Sequence, residues 1–126
     1  MSSSELRYLI AASVLAKQIN IVKQTDLANK LQVSKVSVYN AVEKLKEKGL
    51  IEKNERKILL TKKGEEILDE YMVIIRFMAG HLSLHCGTSE KQAYEDALNA
   101  TCAFSDATRN GIARFVRLKR AGDSRE

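Results

Sequence analysis

The chain has 126 residues, 44% of them hydrophobic, with no proline and only six glycines. That composition excludes wholesale disorder and suits a mostly helical domain, because proline breaks helix interiors and glycine weakens them. The net charge of +5 is uneven: through Lys63 there are 13 Lys and Arg against 6 Asp and Glu, a net +7, and from Gly64 onward 8 against 10, a net −2.

Met1 to Glu5 carries no basic leader, and the apolar stretch Leu6 to Ala16 is too short and interrupted to span a bilayer. A cytoplasmic protein that does not enter the membrane is expected. Cys86 and Cys102 are too few and too far apart for a disulfide framework, so both are expected reduced.

Ser2-x-x-Glu5 reads as a capping box that opens a helix to about Gln18, with Leu6, Leu9, Ile10, Ser13, Val14 and Ala16 on its apolar stripe. Ile19 to Ile21 reads as a brief extended piece. Thr25 is expected to cap a short helix to about Leu31 that buries Leu27, Ala28 and Leu31. After a tight connection at Gln32-Val33, Ser34 caps the next helix, with Val38, Ala41, Val42 and Leu45 on one side and Gly49 closing it.

Leu50 to Lys53 and Lys57 to Leu60 read as two short strands, joined by a polar turn at Asn54-Glu55-Arg56. Thr61 caps a long helix to about Leu84, with a broad apolar face from Ile67 to Leu82. After Cys86-Gly87-Thr88, Ser89 opens a further capping box, and helices are expected over about Glu90 to Ala100 and Ser105 to Leu118. A charged, frayed tail is expected over Lys119 to Glu126. The domain organisation expected is 1–63, 64–118 and a flexible 119–126.

Helix, short helix, tight turn, helix, hairpin, helix is the order of a winged helix-turn-helix. The fold class expected is mostly α with one small β-hairpin wing, followed by a helical dimerisation part. Once the buried positions are assigned, Ser34, Lys35, Val36, Ser37, Tyr39, Asn40 and Lys44 remain on the outer side of the second helix of the motif. Asn40 can pair with an adenine edge, Ser37 can donate or accept, and Val36 can meet a thymine methyl. Tyr39 suits a phosphate or an apolar contact, and Lys35 and Lys44 suit phosphates. Thr25 at the first helix and Arg56 and Lys57 at the hairpin complete the candidate DNA-binding set. Any one of these residues is equally at home on the solvated side of an amphipathic helix; it is the combination with a basic wing that points to double-stranded DNA.

The run Thr25-Asp-Leu-Ala-Asn-Lys-Leu-Gln-Val-Ser-Lys-Val-Ser-Val-Tyr-Asn-Ala-Val-Glu-Lys-Leu45, then Lys48-Gly-Leu-Ile51 and Leu60-Thr-Lys-Lys-Gly-Glu-Glu-Ile67, resembles the diphtheria-toxin-repressor and manganese-transport-regulator family. The likeness extends through the long helix and the Gly87 turn to the last two helices, without the optional SH3-like domain. It implies a homodimer built from the C-terminal helices, two recognition helices in successive major grooves, and a repressor of metal-uptake genes. Tyr71, Ile74, Met78, Leu98, Ile112, Phe115 and Val116 are the candidates for core or dimer contact.

The positions that hold metal in that family fall here on Arg7, Ile10, Ile75, Leu98, Thr101 and Cys102. Only Cys102 can ligate, so the usual manganese or iron site is not expected and the effector is unknown. His81 and His85 share a helix face, Cys86 follows, and Cys102 can approach from the next helix, which makes zinc or another thiophilic metal an alternative. A thiol-responsive switch at Cys86 and Cys102 is another. Neither a glycine-rich phosphate loop nor a nucleophile elbow nor a supported carboxylate pair is present, so no enzyme and no catalytic residue are expected. The competing reading is a winged helix that docks a protein through Val36 and Tyr39, which leaves the N-terminal excess of positive charge without a purpose.

Overall fold

The computed structural model describes residues 1–123. In chain order the elements are α1 (Ser3–Gln18), α2 (Gln24–Leu31), α3 (Lys35–Glu47), β1 (Ile51–Asn54), β2 (Lys57–Leu60), α4 (Lys62–Cys86), α5 (Glu90–Ala103) and α6 (Asp106–Asp123). They form two compact units, Met1–Leu68 and Asp69–Glu126, so the division falls within α4. No helix among the described residues is long and apolar enough to cross a membrane.

In the first unit α1, α2 and α3 pack on one another and the hairpin closes against them. Leu6, Leu9, Leu27, Val38, Val42 and Leu45 are completely covered. Burying each such side chain contributes about 1.5–3 kcal/mol. The covered face of α1 is wider than its sequence stripe, since Tyr8, Ala11 and Ala12 are buried too, while Ala16 is exposed.

Helix α2 begins one residue before Thr25. Its N-cap is Lys23, whose backbone N–H donates to the Asp26 carboxylate at 2.8 Å. An acidic side chain reaching back from the first turn sets this start, and Thr25 lies inside the helix. Just upstream, the Ile58 amide of β2 donates to the Val22 carbonyl at 2.8 Å, which ties the stretch before α2 to the hairpin edge.

Strand β1 begins at Ile51, because Leu50 belongs to the preceding turn. The strands pair antiparallel with Lys53 opposite Ile58 and Asn54 opposite Lys57. The connection is therefore the pair Glu55-Arg56, shorter than the expected three residues, with Glu55 at φ +57°.

In the second unit Tyr71, Val73, Ile74 and Ile75 of α4, Ala93, Ala97, Leu98 and Thr101 of α5, and Ala113 and Val116 of α6 are buried. Burial pushes the Tyr71 phenol above its ordinary pKa, against the pull of the Arg109 charge. Arg109 is itself buried, with its guanidinium 4.6 Å from the Tyr71 ring centre. It donates to the Phe104 carbonyl at 3.0 Å and pairs with Asp106. Of the expected core and dimer residues, Tyr71, Ile74, Leu98 and Val116 are buried, Met78 and Ile112 are half-buried, and Phe115 is 58% exposed.

Gln92 donates its backbone N–H to Ser89 Oγ at 3.2 Å, but its side chain turns forward to Asp96 at 2.8 Å, so the expected box at α5 is only half formed. Helix α6 continues through Lys119 to Asp123, where a frayed tail was expected; 124–126 lie outside the described residues.

Candidate nucleic-acid interface

The interface begins with the way α3 is started and stopped. Ser34 Oγ accepts the Ser37 backbone N–H at 3.1 Å and donates to Ser37 Oγ at 2.9 Å. That leaves the Ser37 hydroxyl with its own proton to offer outward. At the other end, Leu50 N–H reaches the Leu45 carbonyl at 3.0 Å and Gly49 N–H the Lys46 carbonyl at 2.9 Å. With Gly49 at φ +75°, this is a complete Schellman closure.

Between these ends α3 divides cleanly. Val38, Ala41, Val42 and Leu45 face the core, while Lys35, Val36, Ser37, Tyr39, Asn40 and Lys44 are exposed, Val36 by 70%. A valine so far out of the core has no packing role in this unit. The polar side of α3 is thus open and flanked by lysines at both ends.

The wing is fixed by Thr61 and Gly64. Thr61 Oγ1 caps α4 by accepting Gly64 N–H at 2.9 Å and donates to the Gly49 carbonyl at 2.6 Å. Its backbone N–H meets the Leu50 carbonyl at 3.1 Å. A Cβ on residue 64 would lie 2.1 Å from that same carbonyl oxygen, so only glycine fits. The Leu-Thr-x-x-Gly sequence therefore locks the end of α3, the root of the hairpin and the start of α4 together.

The structure places Thr25, Ser34, Lys35, Val36, Ser37, Tyr39, Asn40, Lys44 and Arg56 at the surface, and Lys57 half-buried at the start of β2. Lys53 was not singled out in the sequence. Its ammonium lies 5.6 Å from the Tyr39 ring centre, linking the wing to α3. Only the hairpin register could have pointed to it, since in sequence it is one lysine among many.

In the second unit, His81 and His85 stack with ring centres 5.3 Å apart, and Phe77 meets His81 edge-on at 4.5 Å. Cys86 is exposed and Cys102 half-buried. Among the described residues, no three His, Cys, Asp or Glu side chains are grouped to hold a metal ion.

The winged helix-turn-helix family matches residues 6–79, more than half of the chain. The chain belongs to the winged helix-turn-helix family. No curated protein matches the sequence. Among solved structures, the hypothetical protein SSo2273 from Sulfolobus solfataricus is similar at 21% identity and TM-score 0.73, covering 92% of this chain and 89% of that one. The manganese regulator SloR is similar at 24% identity and TM-score 0.74, covering 93% of this chain. IdeR of T. acidophilum follows at 20% identity and TM-score 0.63, covering 97%. This winged-helix chain spans 55% of the length of each of those two regulators. At these identities the shared property is the fold.

The side chains at the ligand positions implied by the resemblance do not suit manganese or iron. Ile10, Ile75 and Leu98 have no donor atom, and Arg7 carries a positive charge. Ile75 and Leu98 are buried, and the Thr101 hydroxyl donates to the Ala97 carbonyl at 2.7 Å. One thiol, Cys102, does not make the several-ligand site that such ions require.

Proposed function

We infer that this protein is a sequence-specific DNA-binding transcription regulator that acts as a homodimeric repressor in the cytoplasm. The observation that carries the reading is the division of α3: one side wholly in the core, the other open, bearing Ser37, Tyr39 and Asn40 between Lys35 and Lys44. An α-helix fits the major groove, where the Asn40 amide can match adenine and Val36 a thymine methyl. Lys35, Lys44, Arg56 and Lys57 then set position through phosphates. A protein-docking winged helix has no use for that cationic surround.

Dimerisation is supported by the apolar surface of the second unit, where Leu84, Phe115 and Leu118 are exposed. A two-fold dimer meets a palindromic operator whose half-sites are one or two helical turns apart.

Gel shifts and footprints across a salt series test the reading. Duplex affinity is expected to fall steeply as salt rises, with paired protected half-sites. Asn40→Ala is expected to cost about 1–3 kcal/mol on the best site and to relax preference at one base pair. Salt-independent binding, or no duplex binding, would overturn the assignment.

The likeness to the manganese regulator SloR suggests a second measurement. Manganese and ferrous ions are expected to leave DNA affinity unchanged here, because Arg7, Ile10, Leu98 and Thr101 stand at the ligand positions. A rise in affinity reversed by chelator would contradict this.

A further inference from the structure

Lys53 stands on the covered side of the hairpin. Side chains alternate along a strand, so Lys53 shares its face with Ile51 and not with Glu52 or Asn54. Directly across the ladder is Ile58, and cross-strand partners lie on one face. Ile51 and Ile58 are each only 2% exposed, whereas Glu52 and Asn54 are open. A lysine in such a position lays its carbon stem along apolar surface and must bring its charge out at an edge.

The charge comes out against α3. The ammonium lies 5.6 Å from the centre of the Tyr39 ring, and none of the ion pairs among the described residues involves Lys53. A cation over a phenol ring is held by the ring's quadrupole. Tyr39 is half exposed on the open side of α3, beside Asn40 and one turn after Val36. A solvated tyrosine moves among several staggered rotamers, and a cation fixed on a strand favours the one that keeps the ring beside it. The wing therefore acts on a side chain that α3 offers to DNA.

We propose that Lys53 is a positioning residue: it commits its charge inside the protein, sets the Tyr39 ring before DNA arrives, and governs affinity for the best site through Tyr39. This rests on the DNA-binding reading and gives it an internal part. Lys53 thereby differs from Arg56 and Lys57, whose charges serve phosphates.

The first measurement uses the full chain without DNA. The Tyr39 ring proton signals are expected to move in Lys53→Met, which keeps the stem and removes the charge. They should stay near the parent positions in Lys53→Arg, whose guanidinium also stacks on an aromatic face. Lys30→Met removes a charge from α2 and should leave them unchanged.

The second is a double-variant cycle on the best duplex. K53M should weaken binding about two- to fivefold, the range of an exposed contact between a cation and a ring, and K53R should restore it. In Tyr39→Leu, where no ring remains to be held, adding K53M should cost nothing further. The slope of log affinity against log salt should match the parent in K53M, whereas a lost phosphate contact lowers it by about one. Ring signals indifferent to K53M, equal losses with and without the ring, or a lowered salt slope would each overturn the proposal while the DNA reading stands. A parent chain that binds no duplex would overturn both.

Discussion

Particular cations of the two units are placed in opposite ways. In the second, Arg109 is buried on Tyr71, reaches the Phe104 carbonyl, pairs with Asp106 and has Glu70 3.9 Å from its Nε, while Arg117 pairs with Asp69 at 2.8 Å. In the first, Lys23 and Arg56 border a cleft without carboxylates, and Lys35 and Lys44 stand open on α3. A cation whose hydrogen bonds are used inside the molecule serves the fold, whereas one left facing water is available to an anion. Net charge points in the same direction, +5 for residues 1–68 (13 Lys and Arg against 8 Asp and Glu) and 0 for residues 69–126 (8 against 8), but it is the partnering of each side chain that separates the two uses.

The largest effect should come from the backbone that carries the open cations. Gly64→Ala would drive a methyl into the Leu50 carbonyl and is expected to destabilise the first unit by about 3 kcal/mol or more. Chemical denaturation should show it, with duplex binding lost as the wing root shifts. If Gly64→Ala melts like the parent, the wing is not held by this close approach.

The next change sharpens the contrast directly. Arg109→Leu removes a buried guanidinium and strands the Phe104 carbonyl and Glu70, with an expected loss of about 2–3 kcal/mol in urea unfolding. Arg56→Gln, at the exposed turn, should change stability by less than about 0.5 kcal/mol. It should instead lower the slope of log affinity against log salt by about one. Equal effects of the two on stability would erase the distinction between structural and presented cations.

What the sequence reveals follows from the reach of each interaction. Ser2, Ser34, Thr61 and Ser89 are legible as caps because a hydroxyl bonds an amide three residues on, within the local pattern. Gly49 is legible because helix closure needs a left-handed residue there. The start of α2 is less so, since a threonine is the more familiar cap and the residue that decides is Asp26, bonding backward to Lys23. The exposed side of α3 could be read by subtracting the apolar positions. Lys53 could not, because its contact with Tyr39 exists only once β1 packs beside α3. Arg109 is likewise silent in a helix with many basic residues, and its burial depends on Glu70 and Tyr71 of another helix.

Lys48 is the informative exception in the first unit, because it is a cation already given to a carboxylate. It pairs with Glu5, joining the end of α3 to the start of α1, and Ser2 Oγ donates to the same carboxylate at 3.2 Å. Partial burial raises the Glu5 pKa, but the Lys48 hydrogen bond and charge, together with Ser2, outweigh it and hold the pKa below the ordinary value of 4.5. The folded state therefore favours the ionised form. Its contribution is fully present above the unfolded value and is lost as pH falls through the lower folded one. With Lys48 half-exposed, the contribution should be less than about 1 kcal/mol. Glu5→Gln is expected to lower stability slightly at pH 7 and to match the parent once the acid is protonated, as urea melts at pH 7 and below pH 4 would show. If the difference persists undiminished in acid, the contact works through packing, and Lys48 joins the presented cations.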